Sequence, residues 1–466
     1  MRIAFHGAAQ TVTGSKHIIT LNNGKKILLD CGLFQGKGRE SDTLNRFWGF
    51  QPDEIDYMVL SHAHIDHTGL IPKLVNDGFR GKVHATPATF DISTILLQDS
   101  AHIQESDIRF INKRRKSQGQ PLLFPLYTQD DVLKALKRFE THHYNRSFML
   151  DENIEVTFTD AGHILGSAVV SLRIKEGGEI KKICFSGDLG RYNNRILVSP
   201  QPAAQADIVI CESTYGNKIH DDTQFSTDEL HHVIQRTIIE KGGRIIIPAF
   251  SVGRTQEVLY VLNQLYNEKK LPSIDVFVDS PLSTKATEIT KAYPELYNKK
   301  VQKIMQSDID PFGFPGLHFI EDKTESQRLN DRTEPCIIIS ASGMAEAGRV
   351  KHHIAHAIRN EKNTILFIGY AEGRSLGGRL QSGAKNVSIF GDDYPVNAEV
   401  VVLHSFSAHG DYEDLCQFLA CQNPALVEKF FVVHGEPDVQ NEFSEKMRHK
   451  GYQEAYVPNM HESFTI

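Results

Sequence analysis

Short apolar runs separated by polar, glycine-bearing breaks mark the first part of the chain. Residues 26–29 form one such run and stop at Asp30-Cys31-Gly32; residues 56–60 form another and stop at a histidine-rich turn. Residues 154–159 alternate apolar and polar side chains, the period of two that half-buries a strand. Runs at 168–174, 182–185 and 207–211 continue the strand series. Helical spacing predicts a short helix over 69–77 and a long one over 88–116, with apolar positions at Ile92, Ile95, Leu96, Ile103 and Ile108.

From about residue 216 the rhythm becomes a regular alternation of helix and buried strand. Helices over 227–240, 254–267 and 281–292 interleave with strands at 244–247 and 274–278, and strands at 336–339 and 364–368 flank a helix around 349–359. Short apolar strands alternating with helices predict a parallel, helix-covered sheet. Near residue 396 the earlier style returns, with strands at 400–403 and 430–433 each leading into a histidine-bearing loop. The chain therefore divides into a first domain segment over 1–215, an inserted domain over 216–395 and a second segment of the first domain over 396–466. No internal repeat or low-complexity stretch interrupts this plan.

Composition narrows the class without choosing an activity. Of 466 residues, 40% are hydrophobic and 23% charged, an ordinary globular balance, and the net charge of −7 lacks the strong basic excess of a protein that coats nucleic acid. The six cysteines form no CxxC pair, which predicts reduced thiols and a cytoplasmic setting. No signal-like N-terminal segment or membrane-length apolar run is seen.

The chemistry concentrates in His62-Ala63-His64-Ile65-Asp66-His67. Three imidazoles and a carboxylate within six residues, directly after a strand, suit zinc and can serve two ions. His163, in Ala161-Gly162-His163, and Asp188, in Ser186-Gly187-Asp188, also follow strands. Each is an ordinary turn residue when taken alone. They gain weight because the histidine run cannot complete two coordination shells by itself.

Asp30, the run from His62 to His67, His163 and Asp188 match, in order, four motifs of the metallo-β-lactamase superfamily, which this chain resembles. Cys211-Glu212-Ser213-Thr214, Ser405-Phe406-Ser407-Ala408-His409-Gly410 and Val433-His434-Gly435 resemble the three added motifs of its β-CASP branch of nucleic-acid-processing nucleases. Within that branch the chain resembles the cleavage-and-polyadenylation endonuclease subunit and its compact bacterial RNase relatives. One departure stands out: the branch's usual Gly-Tyr-Gln-Ala stretch reads Gly369-Tyr370-Ala371-Glu372 here.

The resemblance implies an α/β fold, an αββα sandwich carrying an inserted α/β domain on a mainly parallel sheet. It also implies two Zn2+ ions, one held by His62, His64 and His163 and the other by Asp66, His67 and His434. Asp188 would bridge them and Asp30 would orient a ligand histidine. The implied activity is hydrolysis of the phosphodiester bonds of single-stranded RNA by a metal-bridging hydroxide, with His409, paired to Glu212, as general acid. Asp66, Glu212 and His409 are thus the expected catalytic groups, and the products carry 5′-phosphate and 3′-hydroxyl ends. Endonucleolytic cleavage leads, 5′-to-3′ exonucleolytic cleavage is the alternative, and a silent RNA-processing scaffold is the reading from another class. Ser251, Gly253 and Arg254, with Ser342, Gly343 and Met344, are candidates for substrate contact where strand meets helix. Lys113-Arg114-Arg115-Lys116 is either a track for the RNA backbone or a solvated helix end. The oligomeric state, a homodimer included, is open, and no membrane partner is expected.

Overall fold

Alternating burial along the early strands builds two sheets that share one apolar interior. The computed structural model describes all residues except Lys37, Asp221, Asp222, Thr223, Gln224, Tyr370, His404 and Ser405, and the side chains of Arg39, Phe225 and Ser226. Tyr370 and Ser405 of the motifs above therefore lie outside the described residues. Two compact units are present: Met1–Tyr192, Ser199–Ile219 and His409–Ile466 form the first, and Asn193–Val198 with His220–Ala408 form the second.

In the first unit one seven-stranded sheet runs, in spatial order, Ser463–Thr465, Arg2–Gly7, Lys16–Thr20, Lys26–Leu29, Tyr57–Val59, Val83–Ala85 and Phe139–Thr141. The other runs Ala455–Tyr456, Lys429–Val433, Ile208–Glu212, Glu179–Phe185, Ala168–Glu176, Ile154–Asp160 and Phe148–Asp151. Ile3, Phe5, Ile27 and Val59 of the first sheet meet Val156, Phe158, Val170, Ile210 and Phe431 of the second in one buried cluster. The strand Ile154–Asp160 shows the reason: every second residue is buried, so its apolar face turns inward. The outer faces bury separate clusters, Leu28, Met58, Ile71 and Leu74 on one side and Val209, Val432, Leu415 and Phe443 on the other. This is the αββα sandwich, helices outside and two sheets within.

The second unit is built on a six-stranded sheet in the order Leu317–Phe319, Asp275–Val278, Cys336–Ser340, Ile245–Pro248, Thr364–Phe367 and Glu399–Val402, parallel throughout. Its central strands are buried on both faces, as helix-covered parallel strands are. Glu399–Val402 departs from the sequence expectation. The sequence rhythm groups it with the closing segment, but it pairs with Thr364–Phe367 and is the edge strand of this sheet.

The helix Pro87–Ser117 starts where Pro87 and the Thr86 cap place it, Thr86 Oγ1 accepting from the Thr89 N–H. Its apolar stripe buries only as far as Ala101. Of the expected stripe, Ile92 is buried, Ile95, Leu96 and Ile108 are half-buried and Ile103 is 46% exposed, so the stripe is only partly covered. All six cysteines are free thiols. Among the described residues no helix is long and apolar enough to cross a membrane.

Candidate metal centre

The ligand-bearing loops converge because their strands point the same way. Lys26–Leu29 and Tyr57–Val59 are parallel neighbours, so Asp30 and the turn beginning at His62 leave the same edge of one sheet. Glu179–Phe185, Ile208–Glu212 and Lys429–Val433 are parallel neighbours in the other, so Asp188, Glu212 and His434 leave one edge there too. His163 follows Ile154–Asp160, which two antiparallel pairings set in that same direction.

Three imidazoles and Asp188 form a first ligand set. His62 Nε2 lies 3.2 Å from His64 Nδ1, and His163 Nε2 lies 3.1 Å from the same nitrogen. Asp188 Oδ2 is 3.4 Å from His62 Nε2 and 3.6 Å from His163 Nε2. Ligands at ordinary Zn–N and Zn–O lengths around a tetrahedral ion sit about 3.3 Å from one another, so these separations match the edges of such a shell. Burial, the leading cause, pushes the His62 ring down to about 3 and the His64 ring to about 4, and it also lowers His163 well below the usual imidazole range. All three therefore present neutral lone pairs, the form that binds metal.

The second set stands beside it. His67 Nε2 lies 3.2 Å from His434 Nε2, which is 3.4 Å from Asp66 Oδ2. Asp188 Oδ2 is 3.4 Å from His67 Nε2, so the same carboxylate oxygen borders both sets. Asp188 Oδ1 is buried without a hydrogen-bond partner. Burial raises the Asp188 carboxyl, but His434, His67 and His62 outweigh it and hold Asp188 well below the usual carboxylate range. Among the described residues the ion-pair partners of Asp30, Asp66, Asp188 and Glu212 are all histidines. A buried group of carboxylates with no lysine or arginine against it attracts a multivalent cation. The donor set fits a divalent metal.

Two of the rings are oriented from behind. Asp30 Oδ2 accepts from His67 Nδ1–H at 2.6 Å, leaving Nε2 to face the ligand set. Asp30 is itself held by the Ser61 N–H and Ser61 Oγ, both at 2.8 Å. On His434, Nδ1 lies 3.0 Å from Thr214 Oγ1. Ser61 and Thr214 were not singled out from the sequence. Ser61 does stand next to His62 and Thr214 two residues after Glu212, which was the available signal.

Glu212 and His409 meet at the rim of the two sets. Glu212 is fully buried at the end of its strand, and its Oε1 accepts from the Leu189 N–H at 2.6 Å and lies 3.2 Å from His409 Nδ1. Oε2 accepts from the Thr214 N–H. The His409 ring stands 4.5 Å, centroid to centroid, from that of His163. Burial lowers the His409 ring, but Glu212, Asp188 and Asp66 outweigh it and raise the group to about 9. The Glu212 carboxylate thus favours a proton on His409, whose Nδ1 faces it.

The candidates for substrate contact where strand meets helix all belong to the second unit. Arg254 and Gly343 line one small depression with Pro248, Ala249, Phe250, Ile368 and Gly369. Arg254 is buried and ion-paired to Glu257, one turn along its own helix. Ser251 Oγ is 3.4 Å from Ser280 Oγ. The first N–H groups of the helix Arg254–Asn267 are also engaged: Gly253 donates to Gln256 Oε1, Arg254 to Val252 O and Thr255 to Phe250 O. These bonds occupy the donors that a phosphate at the helix start would use. Met344 is 36% exposed, and Ser342 makes a backbone bond to Ala347 O. In the first unit, Arg115 of the basic run donates to Pro121 O at the end of the helix Pro87–Ser117.

Comparison with known proteins follows the same plan. A metallo-β-lactamase superfamily model matches residues 17–241, a Beta-Casp domain model 255–380, and a model described as the Zn-dependent metallo-hydrolase RNA specificity domain 393–458. Ribonuclease TTHA0252 of Thermus thermophilus is 34% identical over 441 residues, 94% of each chain. An RNase J-like protein of Methanocaldococcus jannaschii is 31% identical over 437 residues, 93% of this chain and 92% of that one. The transcription termination factor FttA of the same organism is 30% identical over 473 residues, 98% of this chain and 70% of that one.

Proposed function

Because the chain belongs to the β-CASP branch of the metallo-β-lactamase superfamily, we propose that it is a zinc-dependent ribonuclease that hydrolyses single-stranded RNA internally. The observation that carries this reading is the Glu212–His409 pair, 3.2 Å apart at the rim of two adjoining ligand sets. A metal pair alone serves many hydrolases. A buried carboxylate that keeps an imidazole protonated adds a proton donor for a poor leaving group, which an alkoxide of ribose is.

His62, His64 and His163 would hold one Zn2+, Asp66, His67 and His434 the other, and Asp188 would serve both. Bound zinc supplies a water acidic enough to ionise near neutral pH and neutralises charge on the phosphate. Asp30 keeps His67 in the tautomer that offers Nε2. Glu212 fixes Nδ1–H of His409, which leaves Nε2–H to protonate the departing 3′ oxygen. Water adds to phosphorus as the P–O3′ bond breaks, so the products carry 5′-phosphate and 3′-hydroxyl ends. Ser342, Gly343 and Met344 are proposed to contact RNA, while Ser251, beside Ser280, and Gly253 and Arg254, engaged within their own helix start, shape that surface.

The test is cleavage of linear and circular single-stranded RNA beside DNA of the same sequence, with and without zinc. An endoribonuclease opens the circle and spares DNA. Degradation of linear RNA with the circle intact would select the 5′-to-3′ exonuclease reading, and no zinc-dependent cleavage of any strand would reject both.

A further inference from the structure

Two imidazoles and a carboxylate also meet away from the ligand sets, on the outer strands of the first sheet. His84 lies in Val83–Ala85 and Glu140 in Phe139–Thr141, and the parallel register sets them directly opposite each other. The strand period of two returns residue 142 to the face of Glu140. The pairing reaches that far, since the His142 N–H donates to Ala85 O at 2.9 Å. His84 Nδ1 and His142 Nε2 are 3.0 Å apart, Glu140 Oε1 lies 3.8 Å from His142 Nε2, and all three donor atoms fall within 4.8 Å of one another.

We propose that His84, Glu140 and His142 form a further binding site for a divalent transition metal of the zinc class, distinct from the catalytic centre. The donor set argues for that class. Two nitrogens and one oxygen suit zinc, with water as the fourth ligand, whereas magnesium and calcium take oxygen shells. The separations of 3.0 and 3.8 Å bracket the spacing of about 3.3 Å between ligands of a tetrahedral zinc. Both rings are neutral: burial first, then the neighbouring His142, pushes His84 down to about 4, and burial also lowers His142. The rings are held in place before any ion arrives. His142 lies flat on Phe148, with centroids 3.5 Å apart and planes 2° from parallel, and His84 stacks on the same phenyl at 5.5 Å. His84 is buried, His142 half-buried and Glu140 exposed, so the donors lead from the interior to solvent and leave an open side for entry.

The position gives the site a structural consequence. Phe139–Thr141 ends its sheet. A metal shared between this strand and Val83–Ala85 would clamp the edge to its neighbour, at the place where a sheet is most open to fraying or foreign pairing.

The test is metal content of the full chain after equilibration with buffered free Zn2+ and removal of unbound ion, comparing wild type with His142→Ala, His142→Gln and Glu140→Ala. Glutamine can still stack on Phe148 and bond His84 but is a poor zinc ligand, and position 140 is exposed, so these two variants guard against simple loss of fold. Each folded His142 variant is expected to hold one zinc fewer per chain than wild type, and Glu140→Ala to release that zinc to a competing chelator first, all with unchanged RNA cleavage. The readout is the difference between chains, so it stands whether the catalytic centre holds one ion or two. Equal zinc in wild type and in the folded variants, with no more easily released ion in Glu140→Ala, overturns the site.

Discussion

The carboxylate of Asp30 accepts a 2.6 Å hydrogen bond from Nδ1–H of His67, and that contact decides which nitrogen of the ring faces Asp188 and His434. Asp30 does so from a left-handed backbone conformation, φ 57°, which a short polar side chain tolerates better than most. Asp30→Asn keeps that tolerance and can still accept from the Ser61 N–H, but it removes the charge that holds the tautomer. Zinc affinity is expected to fall about 10- to 100-fold, the usual effect of losing a group behind a metal ligand. Competition with a chromophoric chelator measures it, and an unchanged affinity would remove Asp30 from this role.

His409→Ala separates proton donation from metal binding. Zinc content is expected to stay at the wild-type level, while RNA cleavage falls by about 10²- to 10⁴-fold, the range for loss of a general acid. Glu212→Gln should move in the same direction by less. Full cleavage by a zinc-loaded His409→Ala chain would sink the proton-donor assignment.

Gly32 makes room for the ligand turn. A Cβ there would lie 1.5 Å from Asp66 O and 2.6 Å from the His67 nitrogen, both backbone atoms that cannot swing away. Gly32→Ala is expected to lose at least about 2 kcal/mol of stability, since main chain must shift to relieve the clash, and to weaken zinc binding with it. Gly373→Ala, where nothing lies within 4 Å of the added atom, is the control. Urea unfolding of both reads the difference; equal midpoints would contradict the packing argument.

Asp160 offers a pH dependence outside the ligand sets. Burial raises its carboxyl from 3.8 to about 7, against the opposing bond from the Gly162 N–H. The folded chain therefore holds this proton more tightly than the unfolded chain. Its stabilising contribution is complete below the unfolded carboxyl's range and is lost as pH rises through about 7. Asp160→Asn mimics the protonated form at every pH. The variant is expected to gain stability over wild type as pH climbs across that window, with the gap levelling off above it. A gap independent of pH would mean that Asp160 ionises freely in the folded chain.

Local signals were legible where one residue type enforces one conformation. Arg254–Asn267 begins and ends where the sequence predicts, because Gly253 adopts φ 81° at its start and apolar positions repeat with helical spacing behind it. The long helix was legible in extent but not in burial. Beyond Ala101 the apolar side chains of Ile103 and Phe110 stand in solvent rather than in a core. The run at 400–403 reads as a buried strand in either unit. Only pairing with Thr364–Phe367 assigns it, and the choice of strand partner lies in long-range register rather than in the run itself.

By itself the sequence determined the donor chemistry. His62, His64, Asp66 and His67 are contiguous, each later candidate follows an apolar run, and the order of motifs carries the family. Tertiary structure decided what those donors can do. Parallel strands bring Asp188, Glu212 and His434 to one edge, and Thr214 behind His434 is joined across 220 residues of chain. The same is true of His84 and His142, which are unremarked 58 residues apart until the register of two strands sets them 3.0 Å apart. Residue type is written locally, but distance, orientation and burial depend on which strands pair, and those properties turn donors into a site.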